Sequence, residues 1–302
     1  MGTTLYKNAD WIITMNEKRE KIRHGDLLIS GKEILDVGTD LEKKYEGTLK
    51  IDHVVEAEGT VILPGFVNVH HHTWQSLIRN IQATRGLKLE PWLTVMYEIY
   101  KDLNTDVARA GVYSGLGDML KTGCTTSNDL WYPHPVGVKY LVDAEIEAAA
   151  EIGIRFHPTR GFHSVPSSIV PPEVVDTKES VVEDTIRLVK KYHDRSRFSM
   201  CQAGIAPCIA QYETEDIIEA VVDLAEEYDI MVHGHLAESQ HEVEYTLKTW
   251  GCRPFEWFKR HRLLGKRFYF AHCIHLNEEE IAQMADRIMR IEDGKIISGS
   301  VR

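Results

Sequence analysis

The chain has 302 residues, 43% of them hydrophobic and 27% charged, with a formal net charge of −11 at pH 7. That is long enough for one large domain with a smaller companion, and too acidic for nucleic acid to be the natural partner. The five cysteines, Cys124, Cys201, Cys208, Cys252 and Cys273, form no Cys-x-x-Cys pair. A disulfide scaffold is therefore not expected, and a reducing compartment is. Residues 1–12 lack the order of basic then apolar residues of a secretory leader, and no apolar run approaches membrane-spanning length. The expectation is a cytoplasmic protein with no membrane partner.

Residues 1–62 read as short strands with turns. Residues 11–15, 26–30, 33–38 and 54–57 are rich in β-branched side chains and punctuated by turn residues such as Gly31, which suits a small β-sandwich better than helices. The region carries no cluster of catalytic residue types.

From Leu63 the pattern changes. An apolar run, Leu63-Pro64-Gly65-Phe66-Val67-Asn68-Val69, ends in His70-His71-His72. Side chains alternate along a strand, so His70 and His72 point one way and His71 the other. Two imidazoles on one face offer lone pairs to one point and make half of a metal site; the alternative is a cluster of surface histidines.

Strands then alternate with amphipathic helices. Helical stretches at 87–103 and 106–122 precede a strand at 125–130, a helix at 138–151 precedes a strand at 154–160, and a helix at 181–192 precedes a strand at 198–206. The helix at 215–228 places Ile217, Ile218, Val221, Val222, Leu224 and Ala225 on one side and acids on the other. Strands at 230–235 and 267–272 follow. Asn277 with Glu280 forms a capping-box pattern opening a helix to Asp286. Repeated strand–helix units predict an α/β fold of the (β/α) barrel type. Six strands are counted where a closed barrel has eight. Residues 290–299 read instead as a hairpin turning at Asp293-Gly294, similar to the N-terminal strands. The expected domains are a sandwich of 1–62 with 287–302, and an incomplete barrel of 63–286 holding the metal site.

Barrel enzymes place their sites at the C-terminal ends of strands. His235, in His235-Leu236-Ala237-Glu238, and His272 both fall there. Zinc with three nitrogen ligands and an open position brings the pKa of a bound water toward about 7, and a nearby carboxylate such as Glu238 can pass a proton to a leaving amine.

Together these segments resemble the amidohydrolase superfamily, in the branch of aminohydrolases that deaminate or dechlorinate nitrogen heterocycles, such as 8-oxoguanine deaminase, hydroxydechloroatrazine ethylaminohydrolase and atrazine chlorohydrolase. The resemblance rests on Pro64-Gly65-Phe66-Val67-Asn68 with His70-His71-His72, Trp74-Gln75-Ser76-Leu77, Gly123-Cys124-Thr125-Thr126, Ala206-Pro207-Cys208, His235-Leu236-Ala237-Glu238 and Ala271-His272-Cys273. It implies one divalent metal, zinc or iron, on His70, His72 and His235. It further implies Glu238 as proton shuttle, and His272 as the group that orients water or substrate. By the same resemblance Gln75 and Arg160 could contact a ring carbonyl or nitrogen, since both offer planar donors. Equally, Arg160 could pair with a neighbouring acid and Gln75 cap a helix. No lysine ends the fourth strand, which disfavours a two-metal hydrolase with a carbamylated lysine.

The family also uses an aspartate at the end of an eighth strand. After His275 only Asp286 and Asp293 remain, one closing a helix and one in a hairpin turn, so strands seven and eight are expected to be missing. Open sheet edges invite pairing with another chain, hence an expected homo-oligomer. The reaction expected is hydrolytic deamination of a heterocycle such as an 8-oxoguanine-like purine, a pterin or a triazine, impaired by loss of that aspartate. The alternatives are a deaminase of the S-adenosylhomocysteine or methylthioadenosine type, and a non-catalytic metal-binding remnant.

Overall fold

The computed structural model describes residues 2–285 and 287–301; Asp286, which the sequence placed at the end of a helix, lies outside them. The chain divides near Phe66 into two compact units.

In the first unit β1 (Thr3–Ile13) is the spine. β2 (Lys21–Ser30) pairs with it antiparallel, β3 (Glu33–Gly38) extends the sheet beyond β2, and β4 (His53–Glu56) and β5 (Val61–Ile62) pair with β1 in parallel. The strand predicted at 11–15 is thus the end of a longer one, whose polar first half hid it. A short helix, α1 (Leu41–Lys44), seats Leu41 against Leu5 and Leu28.

In the second unit six strands lie in sequence order in one sheet: β6 (Phe66–Asn68), β7 (Cys124–Trp131), β8 (Arg155–Phe162), β9 (Gly204–Pro207), β10 (Val232–Leu236) and β11 (Phe268–His272). The crossovers carry α2 (Leu89–Tyr100), α3 (Thr105–Lys121), α4 (Leu141–Ile152), α5 (Lys178–Tyr192), α6 (Glu215–Tyr228), α7 (Gln240–Trp250) and α8 (Pro254–Arg260). The sheet curls into a parallel half-barrel, as the six-strand count predicted. Asn128 Nδ2 on β7 donates to the Tyr269 hydroxyl on β11 at 2.9 Å, although four strand spacings would hold them about 19 Å apart in a flat sheet. The concave face thereby gathers side chains from strands that are not neighbours.

The amphipathic pattern of α6 resolves as read: Ile217, Ile218, Val221, Val222, Leu224 and Ala225 are its buried residues. Helix α9 (Glu278–Met284) opens with the expected capping box, Asn277 accepting from the Glu280 N–H and Glu280 from the Asn277 N–H. After it come β12 (Arg287–Glu292) and β13 (Lys295–Val301), joined through Asp293 and Gly294, both at positive φ as a tight two-residue turn requires. The sequence grouped this hairpin with the N-terminal strands. Among the described residues its two strands pair with each other, and the five-stranded sheet is built from β1–β5 alone. No helix of the described residues is long and apolar enough to cross a membrane.

Candidate metal centre

β6 ends at Asn68, and the chain stays extended through His72 (φ −130°, ψ 92°) before turning into a 3₁₀ segment at Thr73–Ile78. This arm is gripped by β7. Leu130 N–H donates to the His71 carbonyl at 2.9 Å, His72 Nδ1–H donates to the Leu130 carbonyl at 2.7 Å, and Thr73 N–H donates to Asp129 Oδ1 at 2.5 Å. The Thr73 hydroxyl donates to Glu145 on α4. On the other side α3 comes close because Gly111 has no side chain: a Cβ there would sit 2.9 Å from the Trp74 Cα.

Asp129 and Glu145 are fully buried, and no ion pair reaches either among the described residues. Each has one carboxyl oxygen without a hydrogen-bond partner. Burial, and for Glu145 also the neighbouring Asp129, drives both pKa values up, so the pair retains a proton at neutral pH.

The hydrogen bonds decide which ring nitrogens are free. His233 Nδ1–H donates to the Tyr269 carbonyl at 2.9 Å, which leaves its Nε2 to accept from His70 Nδ1–H at 2.8 Å. His235 Nδ1–H donates to the Cys208 carbonyl at 2.8 Å. With every Nδ1 occupied, His70, His72 and His235 each keep a bare Nε2. The Nε2 atoms of His72 and His235 face each other at 3.3 Å, and one ring nitrogen from each of the three histidines lies within 4.8 Å of the other two. Two lone pairs that close need a positive charge between them. Burial holds the rings neutral, His70 down to about 4 and His72 and His235 well below the usual range. Three neutral imidazoles around one point fit a divalent cation of the zinc type. His71 faces α3 instead, with its Nδ1 unpaired.

Beside the histidines stand Glu238 and His272, Oε1 to Nε2 at 3.3 Å. Glu238 follows β10 through Ala237 at φ 50°. The Glu242 carboxylate holds that corner by accepting from the Ala237 N–H at 3.1 Å and the Glu238 N–H at 2.8 Å. His272 and Cys273 both adopt left-handed φ, 70° and 58°, a strained ending for a strand. Bonds from Cys273 N–H to the Leu236 carbonyl and from His275 N–H to the Ala237 carbonyl, each 2.9 Å, maintain it. Burial, with Glu90 adding like charge, raises Glu238 to about 7.

A cavity of about 320 Å³ opens on this cluster and contains His70, His72, His235, Glu238, His272 and Gln75 in its wall. Gln75 lies in that wall, and its Nε2 already donates to the Tyr100 hydroxyl at 3.0 Å and toward Tyr132 at 3.4 Å. Arg160 does not belong there. It is buried in ion pairs with Asp176 (2.7 Å) and Asp184 (3.0 Å). The reason is strand alternation: His157 and Thr159 take the concave face of β8, so Arg160 points outward to the helices with Phe156 and Phe162. Of the two readings of Arg160, pairing with acids is the one the structure contains.

Sequence reasoning missed His233, Asp129, Glu145 and Glu242. His233 was detectable, two residues from His235 and hence on the same strand face, and Ser239-x-x-Glu242 is a helix-start pattern. Asp129 and Glu145 carried no local signal, because they meet Thr73 from distant parts of the chain.

Residues 61–295 match the amidohydrolase family. The chain is 32% identical over 234 residues to 8-oxoguanine deaminase of Pseudomonas aeruginosa, covering 76% of this chain and 52% of that protein. It is 30% identical over 289 residues to 5-methylthioadenosine/S-adenosylhomocysteine deaminase of Bacillus cereus, covering 95% and 62%. It superposes with a TM-score of 0.84 and 26% identity on atrazine chlorohydrolase from Arthrobacter aurescens TC1 complexed with zinc, covering 94% of this chain and 63% of that one. The chain thus spans less than two thirds of the length of each of these three relatives.

Proposed function

Because the chain belongs to the amidohydrolase family, we propose that its cavity hydrolytically deaminates a nitrogen heterocycle, with one divalent cation on His70, His72 and His235. The observation that carries this reading is the 3.3 Å approach of two bare imidazole nitrogens beside a carboxyl group poised near neutrality. Zinc, when bound, supplies Lewis-acid activation of water near neutral pH; the zinc-complexed atrazine chlorohydrolase favours it over iron.

The chain's own residues do the rest. Glu238, with its pKa near 7, can take a proton from water and deliver it to the departing amine. His272, with Nε2 at 3.3 Å from Glu238 Oε1, is placed to orient the water or substrate beside that carboxyl. Trp92 and Tyr132 in the cavity wall confine a planar ring and keep out bulk water. The resemblance to an 8-oxoguanine deaminase and to a 5-methylthioadenosine/S-adenosylhomocysteine deaminase favours a purine base or nucleoside. Turnover is expected to be slow, since no carboxylate stands with the three histidines in the metal cluster of the described residues.

The test is to load the chain with zinc and measure ammonia release from 8-oxoguanine, other aminopurines, aminopterins and aminotriazines, with Glu238→Gln as control. Release from one class, lost in the control, supports the reading. Stoichiometric zinc with no release from any of them overturns it and leaves a metal-binding chain without this activity.

A further inference from the structure

We propose that Gln211 is a specificity-determining residue that accepts a hydrogen bond from an N–H on the edge of the heterocycle, an inference that rests on the deaminase reading above. The ligand class is then a heteroaromatic lactam or amine presenting a donor at the edge away from the scissile amino group.

The polar groups around the cavity are mostly spent. The Gln75 amide nitrogen is engaged by tyrosine hydroxyls, the Tyr97 hydroxyl and His163 Nε2 by each other, the Cys208 carbonyl by His235, and Arg160 by two aspartates on the outer face. Three lining side chains keep a buried polar atom unpaired, His163 at Nδ1, Tyr212 at its hydroxyl and Gln211 at Oε1, and the Gln211 oxygen is the one that accepts in every protonation state. Gln211 lies in the 3₁₀ turn Ala210–Tyr212 just after β9, is only 6% exposed, and lines the same 320 Å³ cavity as His72, His235 and Glu238. Its Oε1 is buried without a partner. A buried acceptor left unpaired is unfavourable, and native structures keep one where something else supplies the donor.

The turn that presents Gln211 is rigid. Tyr212 N–H donates to the Ile209 carbonyl at 3.1 Å, and the Tyr212 carbonyl accepts from the Ser164 and Val165 N–H groups at 2.9 and 3.0 Å. An acceptor on a fixed turn, facing a cavity with aromatic walls, is arranged to read one edge of a flat ring. A ring nitrogen bearing a hydrogen satisfies it. A methylated ring nitrogen, or one with a lone pair, leaves it unpaired or opposes it.

The experiment uses the zinc-loaded chain carrying Glu238→Gln to prevent turnover. Calorimetry gives the Kd for 8-oxoguanine and for its derivatives methylated singly at each ring nitrogen. With Gln211 present, methylation at one position is expected to weaken binding at least about tenfold. Gln211→Leu should weaken the parent by a similar factor and leave that methylated derivative unchanged, whereas Gln211→Glu, which keeps an acceptor, should retain the discrimination. Equal weakening of every ligand by Gln211→Leu, or no effect at all, overturns the inference while the heterocycle reading stands. Failure of 8-oxoguanine and all its derivatives to bind the Gln211 protein overturns the inference, and failure of the aminopterins and aminotriazines as well overturns both.

Discussion

His233 Nε2 accepts a hydrogen bond from His70 Nδ1–H at 2.8 Å, and through that one contact a residue of β10 fixes which nitrogen of a residue beyond β6 faces the other two histidines. The His233→Ala chain should fold and still bind zinc, with affinity lowered about 10- to 100-fold, because His70 loses its tautomer and its orientation. Competition against a chromophoric chelator reads this directly. Unchanged affinity would show that the arm alone sets the His70 ring.

Glu238 offers a test by pH. Its folded pKa is raised to about 7, above the unfolded carboxylate value, so its stability contribution is complete below the unfolded pKa and is lost as pH rises through about 7. In the metal-free chain Glu238→Gln should therefore stabilise by roughly 1–3 kcal/mol at pH 8 and change little near pH 4. Urea midpoints at the two pH values measure it; equal effects at both would remove the raised pKa from the account.

The Asp129–Glu145 pair makes a second pH prediction with the same sign. Both folded pKa values are raised, so stability falls as pH climbs into the alkaline range, and Glu145→Gln should flatten that fall. Thr73→Val leaves the Glu145 carboxyl without its hydroxyl donor and should cost about 1–3 kcal/mol together with some zinc affinity, since Thr73 adjoins His72. Retention of both in Thr73→Val would mean that the bonds to β7 and the packing of α3 hold the arm without the Glu145 contact.

Arg160 tests the division between framework and cavity. Arg160→Met strands the buried Asp176 without its cation, while Asp184 keeps Arg187 at 2.7 Å, and should destabilise the chain by about 3–5 kcal/mol. Ligand affinity at a temperature where the variant is still folded should stay within about twofold. A selective loss of ligand binding, with stability kept, would return Arg160 to the cavity wall.

The features legible in the sequence are those that repeat locally or fall at fixed spacing. The period of α6, the capping box at Asn277 and Glu280, the Asp293-Gly294 turn and the six strand–helix units all follow from residues a few positions apart, where backbone geometry alone relates them. His70, His72, His235, Glu238 and His272 were readable because each lies at a strand end, and strands in a curled parallel sheet end on one rim.

What only the tertiary structure decided is how that rim is wired. Which imidazole nitrogen stays bare depends on Leu130, Cys208 and His233. Which carboxyls share a proton depends on α4 meeting the arm after β6. Arg160 was misplaced as a ligand contact because residue type says nothing of strand phase, and Gln211 was passed over because an unpaired amide is defined only by what its surroundings lack. Hydrogen-bond partners 27 to 163 residues apart leave no periodic trace in the chain; they exist only once the sheet has curled.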